Sequence, residues 1–399
     1  MSMGKVTKYL SVVAVLAAVA FSVTGCGSST TGTGTAGVTV KIGIGAPLTQ
    51  GATALGQGMV RGATLAIDDM NKSPEATKLG ITFVGVQGDD QGDPKRGVTV
   101  ANQFVGDPAL VGVMGHLNSG VSIPGSAVYN RANVVMVSPA STNPQLTLAG
   151  LKNVFRVCTI DSVQGPAAAD DAVVDLAKKA VFVVDDGTPY GVGLADEFGK
   201  EFEAKGGKLL GREKTSDKDS DFKALVTKIK ATNPDLVYYG GVYNAGALLS
   251  KQMKEGGVKV PMMGGDGLYD GEYIKLAGAA NAEGDFATSV GLPLAQLPDG
   301  AKFTAAFKAK YPDAEIAAYD AYSYDAAMVI MKGVLVAADK VTAAKVTSTE
   351  GKQAIIAAVA ATNYTGITGA IAFDDKGDTT NKAITLYTVK AGAWIPWTK

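Results

Sequence analysis

One histidine in 399 residues, His116, sets a low ceiling on acid–base catalysis. A serine triad would have to use it, and no Gly-x-Ser-x-Gly turn accompanies it to expose a nucleophile. Cys26 and Cys158 are the only cysteines, too few beside one histidine for a metal centre. Gly43-Ile44-Gly45 follows an apolar run, but the third glycine of a dinucleotide turn would fall at Leu48. No Gly-x-x-x-x-Gly-Lys-Ser/Thr loop for phosphates occurs either. His116 therefore reads as a packed or hydrogen-bonded structural residue, and Cys158 as a small buried hydrophobe. What remains are polar residues just beyond apolar runs: Ser119 after 110–115, Ala140-Ser141-Thr142 after 134–138, and Gly264-Gly265-Asp266-Gly267 after 260–264. Taken alone, Ser and Thr after strands are more often turn or capping residues than the donors of a ligand site, and Asp266 can be a solvated turn residue or an acceptor. Either role is non-catalytic, so the chain is expected to be no enzyme and to need no cofactor or metal.

The elements that would carry these residues alternate. Strand patterns run over 38–46, 81–87, 110–115 and 134–138. Helical ones run over 58–71 and from the N-cap pair Asp93-Pro94 to 104, with another between the third and fourth strands. The alternation then starts afresh. Helices are expected at 163–179, 190–205, 222–231 and 244–255, with strands at 180–185, 208–214, 236–240 and 260–264. Two β/α arrays of about 120 residues each predict two similar α/β lobes rather than one large sheet. Helices at 301–310, 321–338 and 349–362, with strands at 369–373 and 383–389, come too late to start a third lobe and must cover an existing sheet. Ligands of open α/β sheets bind beyond the carboxyl ends of the strands, where Ser119 and 140–142 fall.

The N-terminus carries address chemistry. Lys5 and Lys8 precede an uncharged apolar run over 10–23, and Val23-Thr24-Gly25-Cys26 reads as a lipobox whose cysteine is lipidated after cleavage. Residues 27–37 contain only Gly, Ser, Thr and Ala. Such a composition predicts a coil with a reach of roughly 17–20 Å, a tether between lipid and domain. Removing the two lysines of residues 1–25 takes the formal charge from −1 to −3. That balance makes no case for nucleic acid. Cys158 is left without a disulfide partner, so stability must come from core size.

Several segments occur in a telling order: Gly88-Asp89-Asp90-Gln91-Gly92-Asp93-Pro94, Gly115-His116-Leu117-Asn118-Ser119, and Ser138-Pro139-Ala140-Ser141-Thr142. Asp161-Ser162-Val163-Gln164-Gly165-Pro166, Tyr190-Gly191, Asp221-Phe222 and 233–241 (Asn-Pro-Asp-Leu-Val-Tyr-Tyr-Gly-Gly) follow. From about residue 38 to 388 the chain resembles the leucine/isoleucine/valine-binding proteins of bacterial ABC importers. The resemblance implies the type I periplasmic-binding fold, two Rossmann-like lobes joined by a three-strand hinge with the ligand in the cleft. The expected division is signal peptide 1–25, linker 26–37, lobe 1 at 38–158 and lobe 2 at 159–289. A return to lobe 1 at 290–378 and to lobe 2 at 379–399 completes it.

The resemblance also implies site roles. Ser119 hydroxyl, Ala140 N–H and Thr142 N–H and hydroxyl would hold a ligand carboxylate, with Ser141 in the same loop, while Tyr190 and Asp266 would take the ammonium from lobe 2. Leu55 and Tyr319 stand where the family can place aromatics around the side chain. Val242 stands at another aromatic position, for which Tyr243 is the expected substitute. The positions that form a disulfide in the family's best-known member are Gly92 and Asn118, so that staple is absent. The implied partners are a small aliphatic amino acid and the permease subunits, with the membrane reached only through lipid on Cys26. A monomer is expected, exported to the periplasm or the outer face of the cell membrane. Another amino acid, an amide or an aromatic carboxylate as ligand, or a sensory role, remain the alternatives.

Overall fold

Along Val38–Ala46 the side chains are all buried from Ile42 onward, the signature of an inner strand covered on both faces. In the computed structural model, which describes residues 37–398, this strand (β1) lies between β2 (Ile81–Asp89) and β3 (Leu110–Gly115). β4 (Val135–Ser138) and β5 (Val154–Arg156) complete a parallel sheet of order β2-β1-β3-β4-β5. Cys26, the signal peptide and all but the last residue of the linker fall outside the described residues.

The second sheet is built from β6 (Ala180–Asp185), β7 (Lys208–Lys214), β8 (Leu236–Gly240), β9 (Met262–Gly264) and β10 (Phe286–Val290), all parallel. β11 (Asn363–Gly366) and β12 (Gly369–Ala372) form a separate hairpin. β13 (Ile384–Lys390) then joins β10 antiparallel and β14 (Ala393–Pro396) joins β13, giving the order β14-β13-β10-β9-β8-β6-β7. The chain passes between the two halves after β5, after β10 and before β13. These are the two α/β lobes of the expected fold class.

Some helices start on a side-chain cap. Asp93 accepts from the amides of Lys95 and Arg96 at 2.9 and 3.0 Å, with Pro94 in the first turn, and starts the helix Pro94–Val105. The helix Asp320–Val341 returns to lobe 1 and packs on the helix Thr53–Asn71 and on β3 and β4. Gly62 makes that contact possible, because a Cβ there would sit 1.9 Å from the carbonyl oxygen of Asp320. Asp320–Val341 is also the one described helix long and apolar enough to cross a membrane, but 78% of its apolar window is buried in the protein.

Two expectations need amending. The helix expected at 163–179 is Asp161–Asp170 followed by a wider π turn, Asp171–Asp175, and Ala177 at φ +51° ends it. β10 was not anticipated, since Phe-Ala-Thr-Ser-Val carries only two large apolar residues.

Candidate functional site: a cleft between the lobes

At the carboxyl ends of β3 and β4, lobe 1 builds a polar floor. His116 is fully buried, with Nδ1 2.6 Å from Asp90 Oδ2 and Nε2 2.8 Å from the Tyr129 hydroxyl. Its carbonyl oxygen accepts from the hydroxyls of Ser138 (3.1 Å) and Ser141 (3.0 Å), pinning the 138–143 loop from behind. Ser141 is thus turned inward, its hydroxyl also meeting Ser122 at 2.6 Å. The Ala140 amide, expected to face a ligand, donates to Ser138 Oγ at 3.3 Å. Ser119 opens the helix Ser119–Arg131, and its Oγ accepts from the Asn143 amide at 3.2 Å. Thr142 Oγ1 is buried with no hydrogen-bond partner among the described residues.

Lobe 2 answers with carboxylates. Thr188 caps the helix Pro189–Ala204 and places Tyr190 in its first turn. The Tyr190 hydroxyl donates to Asp266 Oδ1 at 2.8 Å and accepts from the Gly267 amide at 3.0 Å. The Tyr319 hydroxyl donates to the other oxygen of Asp266. Gly265 leaves room for this cluster, since a Cβ there would lie 2.8 Å from the Tyr190 hydroxyl and 2.4 Å from Leu194. Burial pushes the Asp266 carboxyl above its usual range, against hydrogen bonds from Tyr319, Tyr190 and Gln164 that pull it down.

A second buried acid, which sequence reasoning did not assign to the site, stands beside it. Asp161 opens the helix after the first crossing, and its amide donates to the Thr142 carbonyl at 3.0 Å. Among the described residues neither of its carboxylate oxygens has a hydrogen-bond partner, though the residue is fully buried. Burial above all pushes its carboxyl up to about 8. Thr142 and Arg156 pull it down, while Asp266 and Glu197 raise it. Thr142 is close enough to act on Asp161 but falls short of a formed hydrogen bond. The available signal was the motif Asp161-Ser162, which at a helix start reads as an ordinary cap.

Next to Ser119, Tyr190 and Tyr319 lies a cavity of about 20 Å³, walled further by Leu55, Leu117, Asn118 and Ala140 from lobe 1 and by Val242 and Gly267 from lobe 2; Ser141, Thr142, Asp161 and Asp266 are not on its wall. It has space for about one water, so a larger solute requires the lobes to part or side chains to turn. Tyr243 is not on this wall. Val242 takes that place, and the Tyr243 hydroxyl instead accepts from the Ala54 amide at 3.1 Å across the cleft. Asn143 Nδ2 makes a second cross-cleft bond to the Pro189 carbonyl at 2.6 Å. Cys158 is buried at the first crossing, where burial holds its thiol far above the usual range. No group of three or more His, Cys, Asp or Glu able to hold a metal occurs among the described residues.

A family profile described as "Periplasmic binding protein" matches residues 39–393. The chain belongs to this family. It is 34% identical over 363 residues to Leu/Ile/Val-binding protein homolog 1 of Brucella melitensis, covering 90% of this chain and 93% of that protein. With Leu/Ile/Val-binding protein BraC3 of Rhizobium johnstonii it shares 35% identity, covering 88% and 92%. Among solved structures, the leucine binding protein LivK of Thermotoga maritima superposes with a TM-score of 0.80 at 30% identity, covering 90% of this chain and 98% of that one. LivJ of Streptococcus pneumoniae in complex with isoleucine gives 0.78 at 25%, covering 89% and 97%. The expected family and fold class are borne out, and these relatives are named as binding proteins rather than enzymes.

Proposed function

We propose that this protein is the extracytoplasmic solute-binding component of an ABC importer, and that it closes on a small aliphatic, branched-chain L-amino acid. The observation that carries the reading is the division of charge across the cleft. Donors from Ser119 and Thr142 on one side suit a carboxylate, and the buried acid Asp266 on the other suits an ammonium, with Asp161 next to Thr142 where the lobes meet. Leu55, Leu117 and Val242 give the side chain an apolar wall. The ligand's two charges supply contacts that exist only when the lobes meet, which is what shifts an open–closed equilibrium. Family membership supports export, and we propose that lipid on Cys26 holds the protein at the membrane near its permease.

A thermal-shift panel of the twenty amino acids tests this. Leucine, isoleucine or valine should give the largest rise in Tm, because a tight ligand stabilises by mass action. A flat response to every aliphatic amino acid would overturn the specificity.

A further inference from the structure

Arg156, at the end of β5, is a fully buried cation that the zwitterion scheme leaves unused. Its Nη1 donates to two carbonyls of the donor loop, Ser141 O at 2.7 Å and Asn143 O at 2.9 Å. Nη2 donates to Thr147 Oγ1 at 2.6 Å, and Nε to Asp378 Oδ1 at 2.5 Å. The guanidinium thus uses its planar fork in three directions at once, which a lysine ammonium cannot reproduce.

The consequence lies in the peptide between Ser141 and Thr142. A trans peptide is planar, with its C=O and N–H pointing opposite ways. With the Ser141 carbonyl held on Arg156, the Thr142 N–H is turned away from the guanidinium. Polarising that carbonyl also strengthens the N–H as a donor, because hydrogen bonds in a chain reinforce one another. The neighbouring peptide is locked as well. The Thr142 carbonyl accepts from the Asp161 amide at 3.0 Å, and the Asn143 amide donates to Ser119 Oγ at 3.2 Å. One buried cation therefore governs how the loop presents its donors, and its charge lies one peptide unit behind them. Asp378 is its only acidic partner among the described ion pairs.

We propose that Arg156 is a positioning residue for carboxylate recognition. It aims and charges the Thr142 amide without touching the ligand, and Asp378 moderates its field. The proposal rests on the amino-acid reading of the cleft.

The test compares L-leucine with L-leucinamide, which keeps the ammonium and side chain but lacks the carboxylate. Their ratio of dissociation constants is measured by calorimetry on the mature protein. Wild type should favour leucine strongly. Arg156→Lys should weaken leucine about tenfold or more while leaving leucinamide within about twofold, since only a charge-assisted contact is lost. The two-ligand ratio then falls. Asp378→Asn keeps the fork but removes the countercharge, so the ratio should rise, and this variant carries the test if Arg156→Lys does not fold. A ratio unchanged in Arg156→Lys, an equal loss of both ligands, or a ratio that fails to rise in Asp378→Asn overturns the assignment. If wild type binds neither compound, the amino-acid reading fails before Arg156 is in question.

Discussion

If the ammonium of an amino-acid ligand docks beside Asp161, binding should release a proton. Its carboxyl is pushed up to about 8 by burial, with Asp266 and Glu197 adding to the shift and Thr142 and Arg156 opposing it. At neutral pH the unliganded protein therefore holds a proton there. An ammonium arriving beside Asp161 favours the ionised form and displaces that proton, while the ligand's own charge is constant over this range. The observed affinity should then rise with pH up to about 8. Taking a bound-state pKa well below the range, the dissociation constant falls about ninefold from pH 6 to 7 and about fiftyfold from pH 6 to 8.

Calorimetry at pH 7 in phosphate and in Tris should differ in heat by close to one proton's worth of buffer ionisation, and Asp161→Asn should flatten both dependences. Stability of the free protein runs the other way. A carboxyl with a raised native pKa keeps a proton that the unfolded chain has lost, so the melting temperature should drift down from about pH 4 to about pH 8. Equal dissociation constants at pH 6 and 8, with heats independent of buffer, would refute the reasoning.

Asp266→Ala removes the acceptor of Tyr190 and Tyr319 and leaves an ammonium facing buried hydroxyls. The expected loss in calorimetry is about 3–5 kcal/mol, a few hundred-fold or more in affinity. Tyr243→Phe deletes a bond between the lobes at Ala54 without touching the cavity wall. Stopped-flow measurements should show ligand dissociation several-fold faster, about 1 kcal/mol in affinity, and side-chain preference unchanged. Gly92 and Asn118 lie side by side, for a Cβ at 92 would sit 3.4 Å from Asn118 Oδ1. Gly92→Cys with Asn118→Cys should therefore close a disulfide. Loop entropy contributes about 3 kcal/mol, less about 1 kcal/mol for a side chain at φ +65°. The readout is a melting temperature that rises by a few degrees and falls back on reduction.

The strands were the most legible part of this chain. β1, β3, β6, β7 and β8 have the residues that their apolar runs and flanking turns imply. All of these but β7, an edge strand whose residues are half-buried or exposed, carry their burial in local composition. β5 and β10 were not, because three residues in one case and a small, mixed run in the other hold too little pattern. In the cleft, the residues that gather around the cavity follow short polar segments at strand or helix ends, where type and position agree. Asp161, noted only as part of a motif, and Arg156 were given no site role for one shared reason. Each looks locally like a surface residue, and only the meeting of segments far apart in the chain buries it. Tyr243 shows the converse. A ring beside the right position was expected on the wall, but one residue's shift along a helix start points it across the gap instead.

The interleaved path of the chain bears on when this protein can fold. Lobe 1 lacks its covering helix until residues 320–341 exist, and lobe 2 lacks two strands until 384–396 exist. Neither half is a finished unit in a nascent chain, unlike domains that condense one after another during synthesis. An exported polypeptide that stays loose until its last residues emerge can still be threaded through a narrow translocation channel, and it commits to structure only on the far side.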